Sequence, residues 1–138
     1  MGRSPRRGPL CIIKMTIITK DICIEKICNL PLDFSVANKS SLTLMQESKF
    51  LDFHNDITKQ DIKEYLFRHK NLIGNWEIWS DDKRTWGYYL SISPKKCIVG
   101  SIDENGKENY SKSFRKAEDA CAEFILREVS EILDIKND

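Results

Sequence analysis

The chain has 138 residues, of which 41% are apolar and 31% charged, and its net charge is +1. That composition excludes an intrinsically disordered chain, and the length suits one domain that buries about two-thirds of its unfolded surface without covalent staples. No run approaches the ~18 consecutive apolar residues of a membrane-spanning helix.

The charge is unevenly spread. Residues 1–14 hold Arg3, Arg6, Arg7 and Lys14 and no acid, which leaves −3 for residues 15–138. A strongly basic nucleic-acid-binding domain would show the opposite balance. Leu10, Cys11, Ile12 and Ile13 after the arginines imitate a signal peptide, but the apolar run is too short and no small-residue cleavage site follows. Residues 1–14 are therefore expected to be a disordered basic leader, with Met15 as an alternative start. Residues 15–138 are expected to form a single domain.

Ile17, Ile18, Ile22, Ile24 and Ile27 are β-branched and partly alternating, which predicts one or two short strands within 16–44. Asn29-Leu30-Pro31 reads as a turn, and residues 41–45 (SLTLM) as a further short strand. From residue 56 the pattern sharpens. Thr58 and Asp61 have capping-box spacing, and Ile62, Tyr65, Leu66 and His69 recur at helical intervals. A helix is predicted over 58–70, ended by Gly74-Asn75.

Strands are predicted over 76–80 (WEIWS), 86–92 (WGYYLSI) and 97–102 (CIVGSI), with a possible fourth over 108–111. The segments 81–85 and 93–96 (SPKK) read as polar turns. Asn105-Gly106 supplies the positive φ angles of a tight hairpin. On the second strand Trp86, Tyr88, Leu90 and Ile92 share a face. Ala117, Ala120, Cys121, Phe124, Ile125, Val129, Ile132 and Leu133 make one apolar stripe, predicting a helix over 114–135 with Ser113 as its N-cap. Short connections favour antiparallel pairing. The expected class is α+β: an antiparallel sheet of three to five strands, with the long C-terminal helix and a second helix packed on it.

The five cysteines, Cys11, Cys23, Cys28, Cys97 and Cys121, form no C-x-x-C pair, and His54 and His69 are the only histidines. They read as reduced thiols of a cytoplasmic protein rather than as a zinc site or disulfide framework. His69, one turn after Tyr65, reads as a packing histidine. No phosphate loop, dinucleotide fingerprint, nucleophile elbow or zinc-protease motif occurs. The expectation is accordingly no catalytic residue, no metal and no cofactor, and a protein that works by binding.

Two surfaces are candidates. Trp76, Trp79, Trp86, Tyr88 and Tyr89 crowd two predicted strands, where alternation sends Trp76 and Trp79 to opposite faces, as it does Tyr88 and Tyr89. Aromatics left on an open face are common interface anchors. Asp81 and Asp82 in one turn and Asp103 and Glu104 in another would supply acidic complementarity. The second candidate is Lys112, Arg115 and Lys116 around the start of the last helix, where cations and free backbone N–H groups can hold phosphates.

Residues 76–129 resemble bacterial immunity proteins that neutralise polymorphic or contact-dependent toxins. The resemblance is carried by W-E-I-x-x-D-D at 76–82, G-Y-Y-L at 87–90, D-E-N-G-K at 103–107 and S-F-x-K-A-E-D-A-C-x-x-F-I at 113–125. It implies a small non-enzymatic protein that occludes a toxin's active site or substrate groove. On that reading the aromatic strands and acidic turns supply the surface: Trp79, Trp86 and Tyr89 are the expected anchors, and Asp81, Asp82, Asp103 and Glu104 are expected to face a basic cleft. The order helix, three strands, helix, with KSFRKAEDACA at 112–122, also resembles double-stranded-RNA-binding domains. That likeness implies phosphate contacts from Lys112, Arg115 and Lys116. Glu118 and Asp119 in the same turn, and Asp103, Glu104 and Glu108 before it, depart from a basic pattern.

Overall fold

The computed structural model describes residues 17–82 and 86–135. The expected leader and part of the turn over 81–85 lie outside them. Among the described residues six helices precede the sheet: α1 (Lys20–Cys28), α2 (Leu30–Val36), α3 (Ser41–Glu47), α4 (Phe50–Phe53), α5 (Lys59–Arg68) and α6 (Asn71–Asp81). Strands β1 (Gly87–Ile92), β2 (Cys97–Ile102) and β3 (Glu108–Phe114) follow, then α7 (Ala117–Ile132). The class is α+β as expected, with a three-stranded antiparallel sheet in the order β1-β2-β3 and the C-terminal helix packed on it.

The strands predicted within 16–44 and at 41–45 are helices. In α1 the buried side chains are Cys23, Ile24, Ile27 and Cys28, a helical stripe that packing enforces over the β preference of isoleucine. Thr19 caps it, its hydroxyl accepting from the Ile22 N–H at 3.2 Å. Ser40 does the same for α3 through the Thr43 N–H at 3.1 Å, and Met45 is the residue α3 buries.

The strand predicted over 76–80 is also helical, the last part of α6. Leu72, Ile73, Trp76 and Ser80 are its buried residues, spaced one and then two turns apart. Gly74 does not end the preceding helix. It lies inside α6, exposed, at a cost of about 1 kcal/mol relative to alanine that tertiary packing overrides.

The expected capping box is present at α5. The Asp61 N–H donates to the Thr58 hydroxyl at 3.1 Å, and the Thr58 N–H to the Asp61 carboxylate at 2.9 Å. Lys20 pairs with the same carboxylate at 3.2 Å, tying α1 to α5. Thr58→Ala is expected to lower stability by about 1 kcal/mol, read as a shifted urea midpoint with an unchanged slope. Glycine at the same position should cost only a few tenths.

Tyr88, Leu90, Ile92, Cys97, Val99, Tyr110 and Phe114 share the sheet face that packs on the helices, and Leu90, Cys97 and Val99 are buried. Gly106 takes φ 82° in the β2–β3 hairpin, as its dipeptide predicts. The last strand runs to Phe114, beyond the predicted 108–111. Phe114 still pairs with Cys97, so Ser113 belongs to the ladder and is not the N-cap. That position falls to Lys116, which offers no side-chain cap, and α7 begins at Ala117. Helix α5 lies antiparallel to α7: Lys63 pairs with Asp119 at 2.6 Å and Lys59 with Glu123 at 3.5 Å.

Candidate functional site

The register decides which candidate residues meet. Gly87 pairs with Ile102, so the start of β1 and the β2–β3 hairpin share one end of the sheet. Trp86, 44% exposed, precedes Gly87 there. Asp103 and Glu104 open the hairpin. Asp81 closes α6, and Asp82 is its C-cap, five residues before Gly87. Both are exposed, so they stand on a helix terminus rather than in a free turn. Carboxylates there face the negative end of the macrodipole, and no basic residue occupies the last turn of α6. Lys83 and Arg84 follow in sequence, outside the described residues.

The seven candidate interface residues are not equivalent. Asp103 serves the hairpin: one carboxylate oxygen accepts from the N–H groups of Asn105 and Lys107, both at 2.9 Å. Glu104 points outward and is exposed. Tyr89 lies on the opposite sheet face, its ring seated across Gly100, where a Cβ would collide with it. Its hydroxyl donates to the Glu108 carboxylate.

Trp79 is on α6, not on a strand, so the two-faced aromatic sheet is replaced by a helix–helix aromatic cluster. Its ring meets Trp76 at 5.9 Å and the edge of Phe34 at 5.4 Å, and its Nε1–H donates to the Glu128 carboxylate at 2.9 Å. Beside it α2 and α6 leave an apolar recess of about 330 Å³ lined by Pro31, Phe34, Asn75, Ile78, Trp79 and Asp82. Phe34 is 46% and Ile78 60% exposed on its rim. Sequence reading missed Phe34 and Ile78: it gave residues 32–40 no element and took 76–80 for a strand. A helical reading of 71–81 would have put Ile78 on the open side.

The basic candidates occupy the other end. Ile92 pairs with Cys97 and Cys97 with Phe114, so the β1–β2 turn and the β3–α7 junction are adjacent. Arg115 and Lys116 are exposed at the junction. Lys112 faces the helices instead, its Nζ 5.3 Å from the Phe114 ring centre, and its charge bears on Glu123.

His69 is exposed at the end of α5 and stacks on Tyr65 with centroids 4.3 Å apart. Cys23, Cys28, Cys97 and Cys121 are buried free thiols. Burial pushes Cys23 up to about 11 and raises Cys28 and Cys121 well above the ordinary thiol value, so none of these three is an activated nucleophile. Among the described residues no group of three or more His, Cys, Asp or Glu side chains could hold a metal ion, and no helix is long and apolar enough to cross a membrane. No protein-family model, curated protein or solved structure matches the chain.

Proposed function

We propose that this protein is a non-enzymatic, cytoplasmic inhibitor that binds a basic protein partner and occludes its active site or substrate groove, as an immunity protein neutralises its cognate bacterial toxin. The observation that carries this reading is convergence. Trp86 meets Asp103 and Glu104 from a separate segment at one end of the sheet, while Asp82, at the C-cap of α6 beside Asp81, borders the open aromatic recess at Trp79. An aromatic recess bordered by the Asp82 carboxylate suits a cationic partner. The ring supplies buried area, and the charges raise the association rate and reject wrong partners.

The test is capture from a lysate of the source cell after nuclease treatment, followed by titration of the captured protein. The expected result is one basic protein bound one-to-one, with its activity suppressed. A D81N/D82N/W86A/E104Q variant should bind it at least about 30-fold more weakly, the loss expected when central anchors go. An unchanged affinity in that variant would remove the surface assignment.

A further inference from the structure

The end of the sheet opposite the acidic residues has a composition that the protein-binding reading leaves unused. Lys95 and Lys96 sit in the β1–β2 turn, and Cys97, the next residue, pairs with Phe114. Lys96 and Arg115 therefore leave the sheet from neighbouring strands, which lie about 4.8 Å apart. Lys116 follows and borders a recess with Lys63, Phe67 and Arg68 of α5. Antiparallel packing of α5 on α7 is what brings the end of α5 to this corner.

Lys95, Lys96, Arg115 and Lys116 are all exposed, and none is in an ion pair among the described residues. The acids nearby are few. Asp119 is neutralised by Lys63 at 2.6 Å, which leaves Glu64 and Glu118 on the recess wall. Phe67 is 64% exposed beside Arg68, and the Lys70 ammonium lies 4.6 Å over its ring. Six-residue strands separate this corner from the acidic end by roughly 20 Å, about two Debye lengths at physiological salt. The overall negative charge of the folded part thus does not cancel the local field.

We propose that Lys95, Lys96, Arg115 and Lys116 form a second binding surface that takes the phosphodiester backbone of a nucleic acid, with Arg68 at its border. Four unpaired cations gathered from two chain segments suit a repeating anion better than a single carboxylate. The surface is distinct from the acidic end, so the two proposals stand or fall separately.

The test is fluorescence anisotropy of labelled 20-nucleotide RNA and DNA, each single- and double-stranded, titrated with the full chain. Binding is expected at about 50 mM salt and should weaken by ~100-fold by 200 mM. Replacing all four residues by glutamine should abolish most binding and make the log–log salt slope shallower by about 3 to 4. K107Q, at the opposite end, should change nothing, and thermal melts of both variants should match the parent. The four oligonucleotides decide which backbone is preferred. No binding at 50 mM salt, equal losses in K107Q, or competition by polyglutamate as effective as by nucleic acid would each overturn the proposal.

Discussion

Replacing Trp76 by alanine is expected to lower stability by about 4 kcal/mol and the melting midpoint by roughly 15 °C. The side chain is fully buried and is the largest among the completely buried residues. Its ring meets Trp79 and Phe124 edge-on, each at 5.9 Å, so it joins α6 to α7 across the core. Its Nε1–H donates at 2.8 Å to the carbonyl of Cys28, which closes α1. Truncation would thus open a cavity where three helices meet and strip a buried carbonyl of a donor. Trp76→Phe separates the two effects. It keeps most of the apolar volume and loses the hydrogen bond, so about 1–3 kcal/mol of the loss should remain. Urea denaturation of both variants checks this, and a loss under 1 kcal/mol for the alanine variant would show that Trp76 does not hold these helices together.

Trp76 also shows why α1, α3 and α6 read as strands in the sequence. WEIWS is rich in residues that favour strands, and over five positions composition outweighs period. Only the wider window, with Leu72, Ile73, Trp76 and Ser80 on one side, exposes the helix. The same happened in α1, where isoleucine content suggested a strand while Cys23, Ile24, Ile27 and Cys28 already kept helical spacing. Isoleucine and tryptophan reward burial in either structure, so the partner surface decides. For Trp76 that surface includes Phe124 of α7, whose stripe was legible because sixteen residues of helix give the period room to repeat. The capping box at Thr58 and the Asn105-Gly106 hairpin were legible because they are local devices that need no partner.

The candidate surfaces were legible in their residues but not in their grouping. Asp81, Asp82, Trp86, Asp103 and Glu104 stood out by type. That Trp86 meets Asp103 and Glu104 at one end of the sheet depends on the pairing of Gly87 with Ile102. Lys95 and Lys96 read as no more than a turn, because their relation to Arg115 comes from the pairing of Cys97 with Phe114. Asp103 illustrates the converse: its acidity suggested a partner, yet its carboxylate is engaged by two backbone N–H groups of its own hairpin. Tyr89 likewise has its ring across Gly100 and its hydroxyl on Glu108.

Glu123→Gln is expected to lower stability by about 2 kcal/mol at pH 7 and to flatten the fall in stability as the solution is acidified. Glu123 lies partly buried between α7, α5 and the sheet, with 15% of its side chain exposed. It accepts from Arg127 Nε at 2.6 Å and from the Tyr110 hydroxyl at 3.4 Å, and it pairs with Lys59 at 3.5 Å. The Arg127 guanidinium in turn lies 4.1 Å over the Tyr110 ring. Burial alone would raise the carboxyl pKa, but the hydrogen bond and charge of Arg127, with Lys59 and Lys112, outweigh it and hold the group below its ordinary value of 4.5. A carboxyl depressed on folding contributes stability that is fully present above its unfolded pKa. That contribution is lost as the pH falls through the folded value. The parent should therefore weaken progressively below about pH 5. The glutamine variant, which has no proton to take up there, should start lower and lose less over the same interval, with its curve approaching the parent's in acid. Urea midpoints measured from pH 7 to pH 3 decide this. Parallel curves would mean that the Arg127, Lys59 and Lys112 cluster stabilises the α5–α7–sheet junction without help from the charge on Glu123.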